Sequence, residues 1–165
     1  MPPLPPATEL CRRLADAIRP HVTPATALVG IQTGGVWVAE WLHQELGIKP
    51  PLGSMNVSFY RDDYSQRGLQ AGRKPSSIPF DVEDAHVIIV DDVLYTGRTI
   101  RAAMNELFDY GRPAKVELAV LADRGGRELP IAANYCPHTL HLPASQSLNL
   151  DRAEDGSLQF TIVEK

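Results

Sequence analysis

Two adjacent carboxylates, Asp91 and Asp92, followed by hydroxyls at Thr96 and Thr99 on either side of Gly97, are the residues of this chain best suited to chemistry. Gly97 lets the backbone turn tightly and approach a ligand, and the unpaired N–H groups of a first helical turn point at whatever lies in front of them. A phosphate suits that position. The threonine hydroxyls add donors and the helix dipole favours the negative charge. Carboxylates would repel phosphate, so Asp91 and Asp92 are expected to accept hydrogen bonds from sugar hydroxyls or to sit near a bound cation. The stretch offers a phosphate end beside a sugar end.

Such residues need a rigid element behind them. Val87, Ile88, Ile89 and Val90 form an unbroken β-branched run, which predicts a strand buried on both faces, as in a parallel sheet, stopping at the two acids. A helix with Ile100, Ala103, Met104, Leu107 and Phe108 on its apolar stripe follows and ends near Gly111. The same order of strand, loop and helix occurs at 27–31, Gln32-Thr33-Gly34-Gly35 and a helical pattern through Trp37, Trp41 and Leu42 closed by Gly47. The two tryptophans, one turn apart, are expected in the core or at a subunit interface. A third strand at 116–121 ends on Asp123-Arg124-Gly125-Gly126-Arg127. Carboxyl ends of strands are where open α/β sheets gather ligand contacts, although such a turn also reads as a surface ion pair.

Outside these units the chain opens on MPPLPP, expected to fray over 1–6. Thr8 is expected to cap a helix with Leu10, Leu14, Ala17 and Ile18 on one face, ended by Pro20. Arg12, Arg13, Asp16 and Arg19 fall on the other face, a solvated surface or a patch for RNA. A strand is predicted at 55–60, and the stretch 61–80, broken by Gly68, Gly72, Pro75 and Pro79, has no sustained period and reads as a functional loop. Asp155-Gly156 between 148–150 and 158–163 signals a β-hairpin. His138 and His141 have no third ligand nearby and are read as ordinary histidines rather than a metal site.

With 165 residues the chain is expected to form a single domain over 1–165. A net charge of −4 argues against a surface given over wholly to nucleic acid, leaving a local basic patch open. Cys11 and Cys136 have no CxxC spacing and the N-terminus has no secretory pattern, so a reduced, cytoplasmic protein is expected. No run approaches the length that spans a bilayer, and no membrane role is expected.

The stretch VDDVLYTGRTIRAAM at 90–104 resembles the phosphoribosyl-pyrophosphate (PRPP) motif of type I phosphoribosyltransferases. Together with SFYRDD at 58–63 and GRPAKVELAVLADRGGRELPI at 111–131, it resembles the PyrR family of pyrimidine-operon regulators and uracil phosphoribosyltransferases, from about Leu28 to the C-terminus. The resemblance implies an α/β fold: a central, mostly parallel twisted sheet flanked by helices, with a small hood and a C-terminal β-hairpin. It implies transfer of the ribose phosphate of PRPP to uracil, giving UMP and diphosphate, with Mg²⁺ held mainly by PRPP and water. Asp91 and Asp92 are then the catalytic acids on the ribose, and Tyr95, Thr96, Gly97, Arg98 and Thr99 the 5′-phosphate cradle. Gln32, Thr33, Gly34 and Gly35 meet the pyrophosphate, in a loop that in the family often holds a cis peptide and two cations that are absent here. Asp123 lies near the magnesium, Arg124 and Arg127 contact substrate, and Arg61 leads a lid over 61–80 with Arg67, Arg73 and Lys74 as further phosphate partners. The family also implies a homodimer or higher homo-oligomer. Two other functions fit the same pocket: an attenuator that binds the mRNA leader with UMP or UTP as effectors and little turnover, and a sensor that binds PRPP without reacting it. Gly126 and Ala132, where attenuators carry basic or imidazole residues, weigh against the former.

Overall fold

The computed structural model describes residues 4–57 and 75–165. Helix α1 (Ala7–Ile18) starts one residue before the expected cap: Pro6 occupies the N-cap position, and its carbonyl accepts from the N–H groups of Glu9 and Leu10 at 3.0 and 3.1 Å. Thr8 is therefore inside the helix. Its buried stripe is Ala7, Leu10, Cys11, Leu14, Ala15 and Ile18, and Ala17 faces solvent instead. A 3₁₀ turn containing Pro20 ends it, as proline's missing N–H requires.

Strand β1 (Thr26–Ile31) is buried throughout and leads into helix α2 (Gly34–Leu46), which Gly47 closes at φ 62°. Strand β2 (Gly53–Met55) follows, then β3 (His86–Leu94), helix α3 (Arg98–Leu107), β4 (Lys115–Asp123) and the short β5 (His138–Thr139). These strands form one wholly parallel sheet in the order β2-β1-β3-β4-β5. The predicted strand at 55–60 is shorter and earlier here, and 58–60 lie outside the described residues. The predicted hairpin is β6 (Gln146–Arg152) paired antiparallel with β7 (Leu158–Glu164), turning at Gly156 with φ 88°.

Both faces of β3 are buried, as its unalternated sequence requires. Ile88 and Val90 join a core formed with α1, α2 and the hairpin, whereas Val87 and Ile89 join a second core under α3. Trp37 and Trp41 are half-buried against the first core, as are Leu158 and Phe160 of the hairpin. No helix among the described residues is long and apolar enough to cross a membrane.

At the amino ends of the strands lies a polar chain that composition gave no reason to expect. His86 Nδ1 lies 2.9 Å from the Thr26 hydroxyl, His86 Nε2 lies 2.6 Å from Glu117, and the Tyr135 hydroxyl donates to the same Glu117 oxygen at 3.0 Å. Burial pushes the Glu117 carboxyl up, but the hydrogen bonds from His86 and Tyr135 and the charge of Lys115 outweigh it, leaving the group below its usual range. Burial and then Glu117 push the Tyr135 hydroxyl up to about 12.

Glu117→Leu would leave two buried donors unanswered, with an expected cost of about 3 kcal/mol in urea unfolding. Because the folded pKa of Glu117 is the lower one, its contribution is complete above the ordinary carboxylate range. It fades as pH falls through the folded value, so the wild type should lose more stability on acidification than Glu117→Leu.

Candidate active site

The strand order creates a switch point between β1 and β3. From β1 the chain crosses by α2 to β2 on one side, while β3 leads through α3 to β4 on the other. Loops leaving neighbouring strands in opposite directions open a crevice at the strand carboxyl ends, where doubly wound sheets bind ligands. Gln32 to Gly35 line one wall, and the acids with the segment 95–99 line the other.

Strand β3 does not stop at the acids. It continues through them to Leu94 because β4 keeps pairing with it, Asp91 opposite Val120 and Leu94 opposite Asp123. Pairing with β1 ends earlier, at Gly30 opposite Val90. Asp91 and Asp92 therefore stand on a strand held on one side and open to the crevice on the other. Asp91 is 5% exposed, and its Oδ1 accepts the Asp92 N–H at 2.9 Å; Asp92 Oδ1 accepts the Val93 N–H at 2.8 Å. Both carboxylates are thus oriented by their own backbone.

Opposite them the Gln32–Thr33 peptide is cis, and the Gln32 N–H donates to the Met55 carbonyl at 2.9 Å. Helix α2 opens with Gly34 and Gly35, whose amides belong to the first turn and have no intrahelical acceptor. A Cβ on Gly34 would lie 2.2 Å from Asp92 Oδ2, and one on Gly35 would lie 2.5 Å from the Val90 carbonyl. The two walls touch at these glycines. No side chain fits at Gly34 while Asp92 keeps its place.

The cradle is built from Tyr95, Thr96 and Gly97 ahead of α3. Gly97 has φ 94°, and the Thr96 hydroxyl accepts the Arg98 N–H at 3.2 Å. Thr96 is buried, Thr99 is half-buried, and both adjoin the helix start. The Arg98 side chain forms an exposed pair with Glu128 at 2.8 Å, so its charge is engaged there.

The loop after β4 braces the cradle. The Thr96 carbonyl accepts the N–H groups of Glu128 and Leu129 at 2.9 and 3.2 Å. Arg127 donates to the Tyr95 carbonyl at 2.6 Å and pairs with Asp123 Oδ2 at 2.5 Å, while Asp123 Oδ1 accepts the Gly125 N–H at 2.9 Å. Arg127 and Asp123 are thus engaged with each other here, where the resemblance implies substrate for the one and metal for the other. Arg124 differs most from expectation: it is 3% exposed and turned from the crevice onto main-chain carbonyls of 142–146. Arg61, Arg67, Arg73 and Lys74 of the expected lid lie outside the described residues.

Residues 4–137 match the phosphoribosyl transferase domain family. A bifunctional protein PyrR of Pseudomonas entomophila is 51% identical over 151 residues, 89% of this chain and 88% of that protein. Another from Nitrosococcus oceani is 49% identical over 158 residues, covering 94% and 86%. Among solved structures, a purine phosphoribosyltransferase of Pyrococcus horikoshii is 28% identical with a TM-score of 0.60, covering 80% of this chain and 81% of that one. A hypoxanthine-guanine phosphoribosyltransferase of Bacillus anthracis, at 16% identity and a TM-score of 0.66 over 85% and 84%, shares the fold. A 2-1-3-4-5 sheet with an acid pair at its switch point, together with half the residues of the PyrR proteins, places this chain in the type I phosphoribosyltransferase family, within its PyrR group.

Proposed function

We propose that the protein is a uracil phosphoribosyltransferase that also regulates pyrimidine biosynthesis. Uracil N1 gives up its proton and bonds to C1 of PRPP as the C1–O bond to pyrophosphate breaks, giving UMP, diphosphate and a proton. The observation that carries this reading is the acid pair on the open edge of β3 next to the amide-rich start of α3. Amides and hydroxyls at Thr96 to Thr99 hold the 5′-phosphate; Asp91 and Asp92 accept the ribose hydroxyls and favour the positive charge that develops on the sugar. Thr33, Gly34 and Gly35 receive the pyrophosphate through backbone N–H groups, while Gln32, its N–H held by the Met55 carbonyl, anchors the loop beside them.

The donor set also fits Mg²⁺. Asp92 is half-exposed and, with Asp91, suits one or two carboxylate contacts, the remaining sphere coming from PRPP oxygens and water. When bound, the ion neutralises charge on the departing pyrophosphate. Asp123 joins such a sphere only if Arg127 releases it.

The name bifunctional, borne by relatives at 49–51% identity, favours a regulatory role with the mRNA leader as partner and UMP or UTP in the same pocket. Helix α1 is a poor RNA surface, because Arg13 pairs with Glu9 and Arg19 lies by Asp16 and Glu45. Exposed Phe108, Tyr110, Ile162 and Val163 supply apolar surface suited to a homodimer or larger assembly. Two cores on one sheet support a single domain, and the free Cys11 and Cys136 suit a reducing cytoplasm.

The test is formation of UMP from uracil and PRPP with Mg²⁺, with hypoxanthine, guanine and orotate as controls. Turnover with uracil alone is expected; turnover with a control base and not uracil would overturn the base assignment. Binding of the pyrimidine-operon leader should weaken steeply with salt, and its absence at low salt would remove the regulatory half.

A further inference from the structure

Arg124 combines deep burial with a set of partners that joins two distant parts of the chain. Its guanidinium carbon lies 3.9 Å from the centre of the Tyr95 ring. Nη1 donates to the Gln146 carbonyl at 2.8 Å, and Nη2 donates to the carbonyls of Pro143 and Leu142 at 3.1 and 3.3 Å. Gln146 is the first residue of β6, so these bonds fasten the entrance of the C-terminal hairpin. The far end of that hairpin returns to the same place: the Lys165 N–H donates to the Ser145 carbonyl at 2.7 Å, and Lys165 Nζ lies 5.8 Å from the Tyr95 ring.

Tyr95 is enclosed on another side by Gly126, where an added Cβ would come within 2.5 Å of the ring. Its own carbonyl is held by Arg127. Tyr95 therefore has its ring fixed by Arg124 and its peptide fixed by Arg127, and the next residue is Thr96 of the cradle. Burying a guanidinium is costly unless its N–H groups are answered. Here Nη1 and Nη2 are answered by main-chain carbonyls and Nε has no partner among the described residues. A fork of planar donors reaching several carbonyls while one face stacks on an aromatic ring is something arginine does and lysine cannot.

We propose that Arg124 is a positioning residue for phosphate binding: it locks the Tyr95 ring to the hairpin entrance and so holds the cradle at 96–99 in its binding shape. The proposal rests on the assignment of that cradle to the phosphate of PRPP. The hairpin then belongs to the support of the active site.

The test measures the dissociation constant of PRPP by calorimetry, alongside KM and kcat, for Arg124→Met, Arg124→Lys, Tyr95→Leu and the Arg124→Met/Tyr95→Leu double variant. Arg124→Met should weaken PRPP binding and raise its KM by about tenfold or more, with kcat changed less. Arg124→Lys should not restore binding, because it returns the charge without the fork. The double variant should be no worse than the weaker single one, since both act through one contact. Glu117→Leu, destabilised at the opposite end of the sheet, should bind PRPP like the wild type. If Arg124→Met does not fold, Tyr95→Leu keeps the carbonyl bonds of Arg124 and still reports the loss.

Wild-type affinity in folded Arg124→Met, full rescue by lysine, or additive losses in the double variant would each overturn the proposal. A wild type that binds PRPP but makes no UMP would instead overturn the transferase reading and leave this proposal standing.

Discussion

With Asp91 and Asp92 both changed to Asn, UMP formation is expected to fall by ~10² or more in kcat/KM for PRPP. Asparagine keeps an oxygen that can accept the Asp92 and Val93 N–H groups now bound by the two carboxylates, so the strand edge keeps its shape. What disappears is the negative charge facing the sugar as C1 becomes cationic. Stability should stay within about 1 kcal/mol of the wild type, because the fold loses no packing. Steady-state kinetics with thermal unfolding on the same samples makes the check, and unchanged turnover in the folded double variant would remove both acids from the mechanism.

Gly34→Ala is expected to lose ~10²-fold in kcat/KM through one added methyl group. The new carbon would stand 2.2 Å from Asp92 Oδ2 and 2.9 Å from its Cγ, so the carboxylate must move. A shift of about 1 Å in a positioning group can cost a factor of that size. Gly47→Ala supplies the contrast: its φ of 62° makes alanine strained, but nothing lies within 4 Å of the added carbon. That variant should lose about 1 kcal/mol of stability while keeping wild-type kinetics. Equal activity in Gly34→Ala and Gly47→Ala would show that contact between the two walls of the crevice does not govern the reaction.

The parts of this fold that were legible in the sequence are those set by local pattern. Val87 to Val90 announce a strand covered on both faces, Gly97 announces the start of a helix, and Asp155-Gly156 announces a hairpin; each lies where expected. The extent of β3 was not legible, because its passage through Asp91 and Asp92 depends on pairing with β4, and register between distant strands leaves no mark on either one alone. The side-chain partners of Arg124 were not legible for a related reason. An arginine in a turn after a strand looks the same whether it meets a ligand or the carbonyls of a segment about twenty residues further on. Glu117 carried a readable signal, a lone acid inside the apolar run of β4, which asks for a buried partner; that the partners are His86 and Tyr135 follows only from the sheet.

The chain from Thr26 through His86 and Glu117 to Tyr135 lies at the opposite end of the strands from the acids. Asp91 lies five positions beyond His86 on β3, roughly 17 Å of extended backbone. Effects at sites so far apart usually add without interfering. An engineer seeking a hardier catalyst can therefore redesign that end of the sheet, exchanging the polar chain for well-packed apolar side chains, with little risk to turnover.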